Sequence, residues 1–298
     1  MTFVYLFQWH GFSYIFDYYS ENVLVMRYVL LFLLPVFFAH AQVDPRKTVV
    51  IPEQEIVVLD STYYSISLPK SINQVEIVGD FSGKIHVYGT RGKDMAEVYH
   101  VYKPNQQDER AIGLREVSIG SNDNTGVGLE VTLEENTLRI RPGSEHFKNK
   151  HYAIYIPDHM LLKMQGTGYG GAVVVTDFAG EIIMEKMQAS ITLHRIIGKA
   201  VIETKQNIEV IYDQIPTAEA SYTSHIGLVD VAMPAISNVT VEINNNRLTP
   251  RIFSDLNLKM ISSEKHRHSY QLNDGKLLIQ IYAPFGNVYL RELSLMPQ

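Results

Sequence analysis

The sequence predicts an all-β fold, and three observations carry that prediction. From Val49 onward, short β-branched segments with alternating polarity are broken by Gly, Asn, Asp or Pro. In the second half these segments recur at a spacing of about nine residues. After residue 41, no stretch carries an apolar stripe of helical period with capping residues at its ends. The nearest helix candidate is Asp108–Glu116, whose pattern is ambiguous.

In chain order, strands are expected at Glu55–Leu59, Tyr63–Leu68, Gln74–Val78, Lys84–Tyr88 and Ala96–Tyr102. Tyr63–Leu68 places its apolar partners at alternate positions, as a half-buried strand requires. Gly128–Leu133 and Thr137–Arg141, joined by Glu134-Glu135-Asn136, read as a hairpin. Strand cores then follow at Val173–Val175, Ile182–Met184, Ile191–Leu193, Val201–Glu203 and Ile208–Val210. Gly180, Ser190, Gly198 and Asn207 mark the turns between them. After a wider gap come Leu228–Val231, Val239–Ile243, Leu256–Met260, Leu277–Tyr282 and Asn287–Leu290. Near-constant spacing without hairpin dipeptides fits the coils of a single-stranded parallel β-helix, a solenoid. A β-sandwich tolerates the same spacing, so periodicity alone fits both.

The first 41 residues differ from the rest. Met26-Arg27, the apolar run Tyr28–Phe38 and Ala39-His40-Ala41 stand in the order of a signal peptide cleaved after Ala41. The run is shorter than the roughly 20 apolar residues that span a bilayer. The aromatic stretch before it does not read as a basic n-region, which favours Met26 as the start of translation; an unusual anchoring leader is the alternative. The organisation expected is therefore a leader at 1–41, an N-terminal β region at 42–150 that forms the first coils, and a repeat region at 151–298, with no transmembrane span after the leader. Gln42–Thr62 and the Arg291–Gln298 tail are expected to help cap the ends.

Net charge is −6 and cysteine is absent. An acidic chain lacks the basic field that phosphate binding requires, so nucleic acid is not an expected partner. Without cysteine there is no disulfide, thiolate metal site, cysteine nucleophile or lipidated N-terminal cysteine.

The stretch from His151 to Met260 resembles the putative-adhesin β-helix family of bacterial envelope proteins. Tyr152-Ala153-Ile154-Tyr155-Ile156-Pro157 is similar to its strand ending in proline. Leu161–Met164, Tyr169–Val175 and Gly180–Glu185 are similar to its coils, and Ile226–Pro234 to a later proline-ended strand. Val75–Tyr102, with Ser82–Gly89, looks like its opening rungs; Gln188-Ala189-Ser190 and Lys205-Gln206-Asn207 stand where coil glycines are expected. The resemblance implies a non-enzymatic protein in the periplasm, at the cell surface or secreted, with an adhesive or structural role and glycans or envelope proteins as partners. It supplies no catalytic residues.

Individual residues offer weaker leads. His266 and His268, with His225, have the spacing of metal ligands, although a solvated, charged turn is the plainer account. Asp158-His159 and Glu145-His146, near His151, suggest acid–base chemistry but sit beside loops. A polysaccharide-active β-helix enzyme would need converging acids; Asp177, Glu185, Glu203, Glu209 and Asp213 do not share one obvious column. Tyr99, Tyr102, Tyr169, Tyr212 and Tyr222 are candidates for a partly exposed aromatic ladder, with strand filling the plainer account. Asp60-Ser61-Thr62 resembles an O-glycosylation acceptor. The reading is thus of no catalytic, cofactor or metal site and no cofactor, with a polysaccharide enzyme or an envelope-sensing module as alternatives.

Overall fold

The computed structural model describes residues 5–9, 12–16, 63–81, 83–101, 122–143, 150–166, 171–244 and 251–293. Met26–Ala41 of the leader, Glu55–Leu59, Asp60-Ser61-Thr62, Tyr102, Asp108–Glu116, Glu145-His146, Tyr169 and most of the two expected capping segments lie outside them. The chain forms two compact units, Met1–Lys47 and Thr48–Gln298. In the first, β1 (Tyr5–Trp9) and β2 (Phe12–Phe16) pair antiparallel.

The second unit is all-β among the described residues, and its strands form two mixed sheets. The first sheet contains β4 (Gln74–Val78), β7 (Leu129–Glu134), β8 (Thr137–Pro142), β10 (Leu161–Gln165), β12 (Ile182–Met187) and β14 (Ala200–Thr204). It continues with β16 (Ala220–Ser224), β18 (Val239–Asn244), β20 (Lys259–Ser263), β21 (Arg267–Leu272) and β22 (Leu277–Tyr282). The second sheet contains β3 (Tyr63–Ser67), β5 (Lys84–Thr90), β6 (Met95–Val101), β9 (His151–Pro157) and β11 (Ala172–Phe178). It is completed by β13 (Ser190–Ile196), β15 (Ile208–Ile211), β17 (Val229–Met233), β19 (Ile252–Ser254) and β23 (Val288–Glu292).

From β10 to β17 consecutive strands alternate between the sheets, and each of β10 to β15 pairs in parallel with the strand two further on. Because registers hold, inward residues line up in columns. One runs Leu138, Val75, Leu162, Ile182, Ala200, Ala220, Ile279, Val241, all buried. The facing sheet supplies Tyr152, Ile85, Val173, Ile191, Ile208, Val229 and Val288 to the same core. Burial of these apolar stems is the main stabilising term.

The sheets are mixed because the ends turn back. The expected hairpin over Gly128–Arg141 is present as β7–β8, β3 and β6 run antiparallel at one edge of the second sheet, and β20–β21 form a hairpin at the far edge of the first. The strand expected at Leu256–Met260 instead starts at Lys259: Ser254 Oγ accepts from Leu256 N, and Leu258 N donates to the Leu256 carbonyl, so the chain bends there. Edge strand β20 is blunted by a register shift between Met260 and Ser262. The chain also backtracks. β22 lies between β16 and β18, and β23 between β17 and β19, although both strands come last in sequence.

Corners are tight where the backbones stack. A Cβ on Gly198 would stand 2.0 Å from the Gly180 carbonyl oxygen, and one on Gly89 2.0 Å from that of Asp177. Only glycine permits that approach. Among the described residues, no helix is long and apolar enough to cross a membrane.

Candidate functional site

Side chains at alternate positions of the second sheet point away from the core. On β3, β6, β9 and β5 these outward positions carry Tyr63, Tyr99, Tyr155, and His86 with Tyr88. Their rings form one continuous chain of contacts. Tyr63 stacks on Tyr99 at 5.7 Å, Tyr99 meets Tyr155 edge-on at 5.5 Å, and Tyr155 stacks on Tyr88 at 4.7 Å with planes 11° apart. His86 lies 3.8 Å from the Tyr88 ring. A centroid separation equal to the strand spacing of about 4.8 Å means that Tyr155 and Tyr88 stand upright, face to face. Both rings are partly buried. Ala153 faces outward between Tyr99 and His86, yet is buried by its neighbours.

The His86 ring nitrogens hydrogen-bond Tyr88 Oη at 2.7 Å and Thr176 Oγ1 at 2.9 Å. In the neutral ring one nitrogen donates and the other accepts. Burial, reinforced by Lys84, Arg195 and His194, pushes the imidazole down to about 4, so His86 is neutral at pH 7. Burial and the neighbouring Tyr155 push the Tyr88 phenol up to about 12, which keeps it a neutral donor and acceptor.

Beside this ladder lies a cleft of about 270 Å³ lined by Gly89, Arg91, Asp158, Asp177, Arg195 and Gln214, with apolar walls from Ala179, Ile196 and Ile197. Asp177 (φ 58°) and Arg195 (φ 53°) occupy left-handed backbone positions near the ends of β11 and β13. The ladder register passes from Thr176–His194 to Phe178–Ile196 around them. The two side chains form a bidentate pair, Nε to Oδ1 at 2.5 Å and a terminal nitrogen to Oδ2 at 2.8 Å. The Arg195 hydrogen bonds hold the Asp177 carboxyl below its usual range. Arg91 Nε stands 3.3 Å from Asp158 Oδ2, and His194 Nε2 3.3 Å from Asp213 Oδ2. The aromatic chain thus adjoins a pocket of paired donors and acceptors.

The structure brings some candidates together and separates others. Asp158 and Asp177 share the cleft, and Asp213 sits next to it through His194. Glu209 faces outward on β15, whereas Glu185 and Glu203 belong to the other sheet. His159 Nδ1 is 3.9 Å from Asp158 Oδ1, and His151 Nδ1 accepts from Lys84 N at 3.0 Å. His225 pairs with Glu203 at 2.9 Å and His268 with Ser263 at 3.0 Å. Among the described residues, no group of three His, Asp or Glu could hold a metal ion.

Of the tyrosines singled out, Tyr99 belongs to the ladder. Tyr212 and Tyr222 do not: both are buried, and their hydroxyls meet at 2.6 Å inside the core. Mutual hydrogen bonding is what lets the core accept them. The ladder residues missed from sequence are Tyr63, Tyr88, Tyr155 and His86. Strict alternation was the available signal, since Tyr88 and Tyr155 fall on the parity opposite to Val87 and Ile154.

No family model matches the chain, and no curated protein matches it. Similar solved structures include a putative cell adhesion protein from Clostridium sporogenes ATCC 15579, at 12% identity and TM-score 0.38, covering 78% of this chain and 100% of that one. A putative adhesin from Bacteroides fragilis NCTC 9343 has 11% identity and TM-score 0.29, covering 78% and 97%. A putative lipid binding protein from Parabacteroides distasonis ATCC 8503 has 11% identity and TM-score 0.26, covering 78% and 96%. Scores of this size fall short of a shared fold.

Proposed function

We propose that this chain is an exported, non-enzymatic binding module of the cell envelope, adhesin-like in role, whose ligand is a glycan held on the outward face of the second sheet. The observation that carries the reading is the unbroken chain of contacts from Tyr63 through Tyr99, Tyr155 and Tyr88 to His86, bordering the Arg91–Asp158 and Arg195–Asp177 cleft. The scaffold is a parallel β-helix with antiparallel hairpins at its ends. In-register parallel pairing from β10 to β17 and the columns of inward residues support this. Met26–Ala41 is the cleaved leader, consistent with its basic, apolar and small-residue order.

At Asp177, pairing argues against a general-acid role. A general acid needs a carboxyl held protonated, and Asp177 is shifted the other way by Arg195. A glycan array probed with the chain tests the reading. Binding that is lost in Tyr88→Ala and Tyr155→Ala, with no shortened sugar products, supports it. Binding untouched by both variants removes the ladder from the site, and release of shortened products would establish the enzyme instead.

A further inference from the structure

The ladder is not the whole of this face. One register row runs straight across the strands from His86 through Val174, Thr192, Glu209 and Asp230 to Tyr289 and Phe253. At its far end Phe253 stacks on Tyr289 at 5.1 Å with planes 11° apart, and the Arg291 guanidinium lies 5.3 Å from the centre of the Tyr289 ring. Arg291 is held there by Asp230, through Nε at 2.9 Å and a terminal nitrogen at 2.8 Å.

Both aromatic stacks end on edge strands of the sheet, β3 and β19. Tyr63 is 62% exposed and Phe253 43% exposed. Each terminal ring has one face on its inner neighbour and, among the described residues, no aromatic partner on the other. Between the two stacks the outward side chains are small or polar. Five strand steps separate His86 from Tyr289, about 24 Å at the usual strand spacing. One step is close to the length of one pyranose unit, so the track matches five or six sugars laid across the strands.

Charge along the track selects among glycans. Glu209 is half-buried, has no hydrogen-bond or ion-pair partner among the described residues, and faces Asp230 in register, with Arg291 on the same face. Burial first, and Asp230 second, raise its carboxyl above the ordinary range, a sign that the site has no surplus of positive charge. The whole chain is at −6. A uronate or sulfated chain would meet repulsion at the middle of the track, whereas neutral hydroxyls find acceptors there.

We infer that the glycan bound by this face is a linear, uncharged polysaccharide that spans both aromatic stacks. This inference rests on the glycan-binding reading above. The test is an array of linear neutral oligosaccharides from two to ten units, with uronate oligomers of the same lengths as comparators. Affinity should rise by about tenfold, equivalent to about 1.4 kcal/mol, as the chain passes five or six neutral sugars. The double variant Phe253→Ala/Tyr289→Ala, at partly exposed positions, should erase that rise; far-UV circular dichroism checks that it folds. Length-independent binding, a rise that survives the double variant, or stronger binding to uronates would overturn the inference while leaving the ladder reading standing. Binding to no sugar, or binding indifferent to Tyr88→Ala, would overturn the ladder reading itself.

Discussion

The buried Tyr212–Tyr222 pair offers the sharpest test of how this core tolerates polarity. Tyr222 is 0% and Tyr212 3% exposed, and their oxygens are 2.6 Å apart. Tyr222→Phe removes one hydroxyl and leaves the other buried without its partner, which costs about 1–3 kcal/mol. Tyr212→Phe should cost a similar amount. The double change removes both polar groups while keeping the rings, so it should be less destabilising than either single variant. A double-mutant cycle by urea denaturation at pH 7 would therefore give a coupling energy of about 2 kcal/mol or more, opposite in sign to the single losses. The phenols also predict behaviour in alkali. Burial raises Tyr212 to about 12, against an unfolded value of 10, and raises Tyr222 as well. Folded values above unfolded ones mean that this stability is complete below pH 10 and is lost as pH climbs toward about 12. The double variant should lose that alkaline transition. Additive single effects, or an unchanged alkaline limb, would refute the claim that the two hydroxyls satisfy each other.

Other outcomes follow from the same geometry. His86 has the opposite sign: its folded value of about 4 lies below the free value of 6.5, so its contribution is present above pH 6.5 and fades as pH falls toward 4. His86→Gln should flatten the stability profile in that window, and an unaltered acid limb would count against burial of the neutral ring. Gly198→Ala should destabilise by about 3 kcal/mol or more, because its Cβ would meet the Gly180 and Ala179 carbonyl oxygens at 2.0 and 2.5 Å. Gly92→Ala meets nothing within 4 Å and bears only the strain of φ +69°, about 1 kcal/mol, so equal melting losses in the two variants would contradict the stacked corner. Breaking the part-exposed Arg195–Asp177 pair with Arg195→Met should change stability by about 1 kcal/mol or less while weakening glycan binding. A large loss of stability with binding intact would make the pair structural.

The strands with Ile or Val at inward positions were legible because their burial alternates with a period of two, as in Ile191-Thr192-Leu193 and Val239–Ile243. β16 falls in the wider gap between the expected strands because its inward residues are Ala220, Tyr222 and Ser224, which carry little of the β-branched signal. Ser224 Oγ is satisfied by the Gln206 carbonyl at 2.7 Å, a partner visible only after folding. The ladder escaped for a related reason. Tyr63, Tyr99, Tyr155 and Tyr88 come from four strands, and their adjacency depends on a register that backtracks from β9 to β5. Local spacing contains no trace of that pairing. The cleft likewise joins Arg91 to Asp158 and Asp177 to Arg195 across strand ends, so the acids could be named in advance but not their partners.

The late placement of β22 and β23 has a consequence for the order of events at the ribosome. Residues 277–292 insert between strands made earlier, separating β16 from β18 and β17 from β19. Until that segment emerges, neither sheet can close its pairing at this end, and the nascent chain holds two open ladders. β22 and β23 act as a latch, each pairing in parallel with both of its neighbours. Residues 277–292 must therefore be in place before β16 and β18, or β17 and β19, are joined through the strand between them.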